Sequence, residues 1–86
     1  MYHVYIVTCA DGTLYTGIAT DLERRMSEHN SSDLGAKYTR TRRPVRLSYS
    51  EPFADRSVAS REEYRLKQLS RTEKLALVKK GKKKHG

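Results

Sequence analysis

The chain opens on a strand pattern. Residues 2–9, YHVYIVTC, alternate and are rich in β-formers: Tyr2, Val4, Tyr5, Ile6, Val7 and Thr8. Asp11-Gly12 follows, a strong hairpin signal, and residues 13–18 read as a second strand containing Tyr15. Gly17 near its end points to a bulge or a close backbone approach. Thr20-Asp-Leu-Glu23 has the spacing of a capping box and predicts a short helix over residues 21–29. Leu22 and Met26 lie on one face of that helix, and Arg25 and His29 on an adjacent one. Residues 30–44 hold Gly35 and no apolar period, so they are expected to form a long connection. Pro44 leads into VRLSYS, a third strand expected to show Val45, Leu47 and Tyr49 on one face and to break at Glu51-Pro52. A second helix is predicted from Asp55 or Ser57 to Leu69, with Ala59, Leu66 and Leu69 near one stripe and Glu62 and Glu63 in its middle turn. Ser70-Arg-Thr-Glu73 is a second capping box. It opens a third helix through Leu75, Leu77 and Val78, expected to end at Gly81.

The order β-β-α-β-α-α predicts an α+β domain: a three-stranded antiparallel sheet flanked by helices, with the first strand central. One domain is expected over residues 1–80, with a basic, flexible tail over 81–86. Hairpin register matters for chemistry. A two-residue Asp11-Gly12 loop would set Tyr5 opposite Ile18 and Tyr15 opposite Thr8, on the other face. A three-residue loop or one bulge puts Tyr5, Val7 and Tyr15 on a shared face. The second register is predicted, because two phenols converging on one face can form a polar site.

Charge then changes the picture. Of the 86 residues, 36% are hydrophobic and 33% charged, and 18 Lys and Arg against 10 Asp and Glu leave a net charge of +8. Half of the cations sit in two segments without a carboxylate: Lys37, Arg40, Arg42 and Arg43, then Lys79, Lys80, Lys82, Lys83 and Lys84. Clustered charge makes a local field, and a polyanion is the obvious partner. The plain reading of the tail is a solvated lysine run. The first segment interleaves Tyr38 and two threonines with its arginines, which suits phosphate and sugar contacts. The single cysteine, Cys9, excludes an internal disulfide framework and a multi-cysteine zinc site, and reads as a buried structural thiol. No stretch is apolar enough for a membrane span and no signal-peptide pattern opens the chain, so a cytoplasmic protein without a membrane partner is expected.

Taken singly, Tyr5 and Tyr15 read as strand packing, and Arg25, His29, Glu62 and Glu63 as solvated helix faces. Their arrangement is more specific. VYI at 4–6, YTG at 15–17 and TDLERRMSEH at 20–29 together resemble the GIY-YIG nuclease domain. That family has a tyrosine in each of two hairpin strands and an arginine ten residues after the second. A histidine often follows one turn later, and a later helix carries a metal-holding glutamate. GAKYTRTRRPV at 35–45 and EYRLKQL at 63–69 look like the small stand-alone bacterial members, so the resemblance covers about residues 2–79. The first motif departs from the pattern: His3-Val4-Tyr5 keeps only the tyrosine, whereas Tyr15-Thr16-Gly17 keeps tyrosine and glycine.

The resemblance implies a divalent-metal-dependent endonuclease hydrolysing phosphodiester bonds, with DNA as the expected partner and processing or repair as its setting. It implies Tyr5, Tyr15, Arg25 and His29 as catalytic residues and one divalent ion, Mg²⁺ or Mn²⁺, on Glu63. Alignment on EYRLK favours Glu63, while helix geometry alone allows Glu62 or Glu63. On this reading Arg25 offers planar donors to phosphate oxygens as charge grows. Tyr5 serves as general base or relay, which requires a nearby cation to lower its ordinary pKa of about 10. Tyr15 and His29 orient water and phosphate. Lys37, Arg40, Arg42, Arg43 and the lysine tail hold the flanking backbone. The alternative is a non-catalytic nucleic-acid-binding module on the same fold, and a charged adaptor is a third possibility. Convergence of Tyr5, Tyr15, Arg25 and an open Glu63 favours the enzyme. Burial of the phenols, or a glutamate pointing away, favours the binding module.

Overall fold

The structure is a computed structural model that describes residues 1–31 and 37–85, with side chains described over 1–31 and 38–80. The elements are β1 (Tyr2–Thr8), β2 (Leu14–Ala19), α1 (Leu22–Ser31), α2 (Lys37–Arg40), β3 (Arg46–Phe53), α3 (Arg56–Lys67) and α4 (Arg71–His85). The three strands form one antiparallel sheet in the order β2-β1-β3, so the first strand is central as expected.

Being central, β1 is covered on both faces. Val4 and Ile6 enter a core with Tyr49, Ala59, Leu66 and Val78, beneath α3 and α4. Tyr5, Val7 and Cys9 pack on the other face with Val45, Tyr15, Leu22 and Met26, beneath α1. Each fully buried aliphatic side chain contributes about 1.5–3 kcal/mol relative to exposure.

The hairpin has the three-residue loop. The Cys9 amide donates to the Thr13 carbonyl (2.8 Å) and the Gly12 amide to the Cys9 carbonyl (2.9 Å). Gly12 takes φ 85°, the left-handed conformation that closes such a loop. Tyr5 therefore pairs with Gly17 and Val7 with Tyr15, which places Tyr5, Val7 and Tyr15 on one face.

Five details differ from the sequence expectations. Asp21, not Thr20, caps α1, accepting from the Arg24 amide at 3.1 Å, since the carboxylate one residue nearer is the better acceptor. Within the expected connection, Lys37–Arg40 form a single helical turn. A turn this short has no periodicity to read; it is held by burial of Thr39 and by the Arg42 guanidinium on the Tyr38 carbonyl. Strand β3 runs through Glu51-Pro52, which an edge strand tolerates. A register shift between Ile6 and Val7 sets Tyr49 opposite Ile6 and Leu47 opposite Val7, so Tyr49 and Val45 belong to opposite faces. Finally, α4 continues past Gly81 to His85, among lysines that are good helix formers; a mid-helix glycine costs only about 1 kcal/mol. The second capping box forms as expected: the Ser70 amide donates to Glu73 (2.9 Å) and the Glu73 amide to Ser70 Oγ (3.2 Å). No described helix is long and apolar enough to cross a membrane.

Candidate active site

The site forms where the Tyr5 side chain crosses edge strand β2. Its ring lies on Gly17: a Cβ there would come within 2.6 Å of Tyr5 Cζ. Glycine thus clears the route by which the phenol reaches α1. There Tyr5 Oη lies 2.8 Å from His29 Nε2, and His29 Nδ1 lies 2.8 Å from Thr39 Oγ1. Arg25 Nε donates to Tyr5 Oη over a longer 3.4 Å. Tyr5, His29 and Thr39 are almost wholly inaccessible, at 1%, 0% and 0%.

The Tyr5 oxygen accepts from Arg25, and the His29 ring bridges the Tyr5 and Thr39 hydroxyls through its two nitrogens. Burial lowers the His29 pKa, aided by the charges of Arg25 and Arg43 and opposed by Glu28. Burial also raises the Tyr5 pKa, outweighing the Arg25 hydrogen bond and charge that lower it. Arg25 by itself does not bring Tyr5 below its ordinary value, because desolvation of the buried phenol wins.

Tyr15 is the more accessible phenol. Its ring meets His29 edge-on at 5.5 Å and stacks on Tyr38 at 5.8 Å, and the Arg42 guanidinium lies 4.1 Å from the Tyr38 ring centre. Arg25 Nη1 pairs with Glu28 at 3.0 Å. Glu28, Thr39 and Tyr38 were not singled out as site residues. Tyr38 and Thr39 carried one signal, their place among arginines; Glu28 had none.

The two glutamates separate. Glu62 is held by Arg65 through two 2.7 Å hydrogen bonds, and its charge acts on Tyr49 in the other core. Glu63 is half-buried, pairs with Lys67 at 3.3 Å, and its charge is felt at the Tyr5 hydroxyl. No three His, Cys, Asp or Glu side chains cluster among the described residues. A single half-buried carboxylate fits a hydrated divalent ion that completes its shell with water and substrate oxygens.

The basic segment divides too. Arg43 donates to the carbonyls of His29 and Glu28 and so closes the C-terminal turn of α1. Arg42 binds the Tyr38 carbonyl (2.8 Å) and Asp11 (3.1 Å), pinning α2 to the hairpin. Both guanidinium groups thus also serve the fold, each through two of its nitrogens. Arg40 is exposed. The side chains of Lys37 and of residues 81–86 lie outside those described.

Residues 1–76 match the GIY-YIG catalytic domain family. The chain is 64% identical over 78 residues to a UPF0213 protein of Desulfotalea psychrophila, covering 91% of this chain and 71% of that one. It is 58% identical over 77 residues to a UPF0213 protein of Halobacterium salinarum, covering 90% and 99%. The solution NMR structure of a UPF0213 protein from Bacillus halodurans is similar, with a TM-score of 0.60, 48% identity, and coverage of 94% and 87%. That of a protein from E. faecalis gives a TM-score of 0.62, 43% identity, and coverage of 92% and 83%.

Proposed function

The chain belongs to the GIY-YIG catalytic domain family, a nuclease family, and on that premise we propose that it is a divalent-metal-dependent endonuclease hydrolysing phosphodiester bonds in DNA, in DNA processing or repair. One observation carries this reading. The Tyr5 hydroxyl binds His29 and Arg25, so β1 and α1 present polar groups to one point on the edge of β2, and the charge of Glu63 on α3 acts on that phenol.

Each residue then has a distinct task. Arg25, backed by Glu28 and Tyr5, offers its guanidinium to the non-bridging phosphate oxygens, where negative charge grows. Tyr15, at the accessible side of His29, orients the attacking water. Tyr5 and His29 are positioning residues: their shared proton holds the imidazole in one tautomer and the phenol against Arg25. Glu63 would hold Mg²⁺ or Mn²⁺, exchanging Lys67 for the ion. The ion supplies charge neutralisation on a phosphate oxygen and on the leaving oxygen.

The burial of Tyr5 favours the second reading, a non-catalytic nucleic-acid-binding module. The two are separated by incubating labelled single-stranded, duplex and branched DNA with Mg²⁺ or Mn²⁺, beside EDTA controls and Glu63→Ala and Tyr15→Phe proteins. Metal-dependent nicking, abolished by Glu63→Ala and reduced by Tyr15→Phe, is expected. Salt-sensitive binding with no cleavage of any substrate would leave the binding module.

A further inference from the structure

Strand β2 runs between two basic depressions. Beyond its C-terminal end lies a cleft of about 430 Å³, lined by Ile18 and Ala19 together with Arg24, Arg25 and Arg56. At its N-terminal end a groove of about 210 Å³ is lined by Thr13, Leu14, Tyr38, Arg71 and Lys74. Tyr15 and Gly17 lie between them. Tyr38 joins the groove to the centre, because the ring that walls the groove also stacks on Tyr15.

The cations in these depressions differ from those of the basic loop. Arg42 and Arg43 are engaged within the fold. No ion pair involves Arg56, Arg71 or Lys74 among the described residues. The groove lining contains no carboxylate. In the larger cleft, Glu28 is taken up by Arg25 and Arg24, and Asp21 caps α1. Arg56 is the first residue of α3, whose N-cap carboxylate, Asp55, is taken by the Ser57 amide at 2.6 Å. Arg71 donates to the Gly12 carbonyl at 3.0 Å, which fixes its guanidinium over the hairpin turn, and Lys74 follows on the same helix face.

We propose that one strand of a polynucleotide lies along β2, with Arg56 gripping its backbone on one side of the Tyr15–Arg25 centre and Arg71 with Lys74 gripping it on the other. Five strand steps from Leu14 to Ala19 span about 17 Å. That is the length of about five stacked nucleotides at 3.4 Å per phosphate. A groove of about 210 Å³ holds a single backbone segment rather than a duplex. This placement rests on the family reading for its centre and adds two phosphate subsites to it.

The test is binding of a short fluorescent single-stranded oligonucleotide to the full chain in EDTA, over a series of salt concentrations. Each phosphate contact contributes about 0.7 to the slope of log K against log salt for a single strand. Arg56→Gln and Lys74→Gln should each reduce the slope by about that amount, and the double variant by about 1.4. Arg46→Gln, on the opposite edge strand β3, is expected to leave it unchanged. Thermal melts of the variants report whether each is folded. Unaltered slopes in folded Arg56→Gln and Lys74→Gln proteins would overturn the proposal. The two readings fail separately. Cleavage with unaltered slopes keeps the nuclease and removes the track. Reduced slopes without cleavage of any substrate keep the track and remove the nuclease.

Discussion

The Tyr5 ring rests on the backbone of Gly17, its partner across the hairpin, and so carries its hydroxyl past the edge of the sheet to His29. A methyl group at position 17 would meet the ring within 2.6 Å at Cζ. Gly17→Ala is therefore expected to destabilise the fold by about 1–3 kcal/mol, read from the denaturant midpoint. In a Tyr5→Leu background the clashing atoms are gone, and the same change should cost less. Equal costs in both backgrounds would show that the ring is not what demands glycine.

Glu63 and Glu62 should divide activity from stability. The Glu63–Lys67 pair is partly exposed and one helical turn long, so its loss should change stability by about 1 kcal/mol or less. Glu63→Gln should nevertheless lower metal-dependent cleavage by about 100-fold or more, equivalent to about 3 kcal/mol of transition-state stabilisation. Glu62→Gln should stay within a few-fold of the parent, because its carboxylate is occupied by Arg65 and acts on the other core. Single-turnover rates with Mn²⁺ measure both, and the reverse ranking would move the metal site.

Acid should weaken the fold through His29. Burial holds its pKa below the ordinary 6.5, so the folded state binds this proton less readily than the unfolded chain does. Its contribution is complete above about pH 6.5 and is lost as pH falls through that value toward the lower folded one. The melting temperature should drop across this window, and His29→Gln should flatten the drop. Glu28 and Asp11, whose pKa values are held low by hydrogen bonds from Arg25 and Thr13, act at lower pH and are present in both proteins. Parallel pH profiles would exclude His29 as the source.

Arg43 should behave as part of α1. Its guanidinium closes the helix on the carbonyls of His29 and Glu28. Arg43→Gln is expected to cost about 1–2 kcal/mol in chemical denaturation, from lost hydrogen bonds and a lost cation at the helix C-terminus. A variant of unchanged stability with weaker DNA binding would return Arg43 to the surface role that its sequence context suggests.

Thr16 offers a stabilising change. Among the described residues its buried Oγ1 finds no hydrogen-bond partner, and the residue sits in a strand at 3% exposure. Thr16→Val keeps the shape, removes the unsatisfied hydroxyl and should raise stability by about 1 kcal/mol, visible as a higher melting temperature. A loss instead would mean that the hydroxyl is satisfied in solution.

The chain by itself determined the parts that local physics governs. Alternation marked β1 and β2, Asp11-Gly12 and the need to gather two phenols indicated the three-residue loop, and Ser70 with Glu73 marked a helix start that forms as read. The spacing of Tyr5, Tyr15, Arg25 and His29 was visible for the same reason, since a hairpin and one helical turn relate them. Tertiary structure decided what depends on groups far apart in sequence. It buried Tyr5 against His29, and that desolvation raises the phenol's pKa against the pull of Arg25. It engaged Arg42 and Arg43 with groups of the fold, buried Thr39 in a helical turn, and tied Glu62 to Arg65 while the charge of Glu63 acts on Tyr5. Desolvation and the competition for hydrogen-bond partners are set by neighbours that packing supplies, and no local pattern records which neighbours those are.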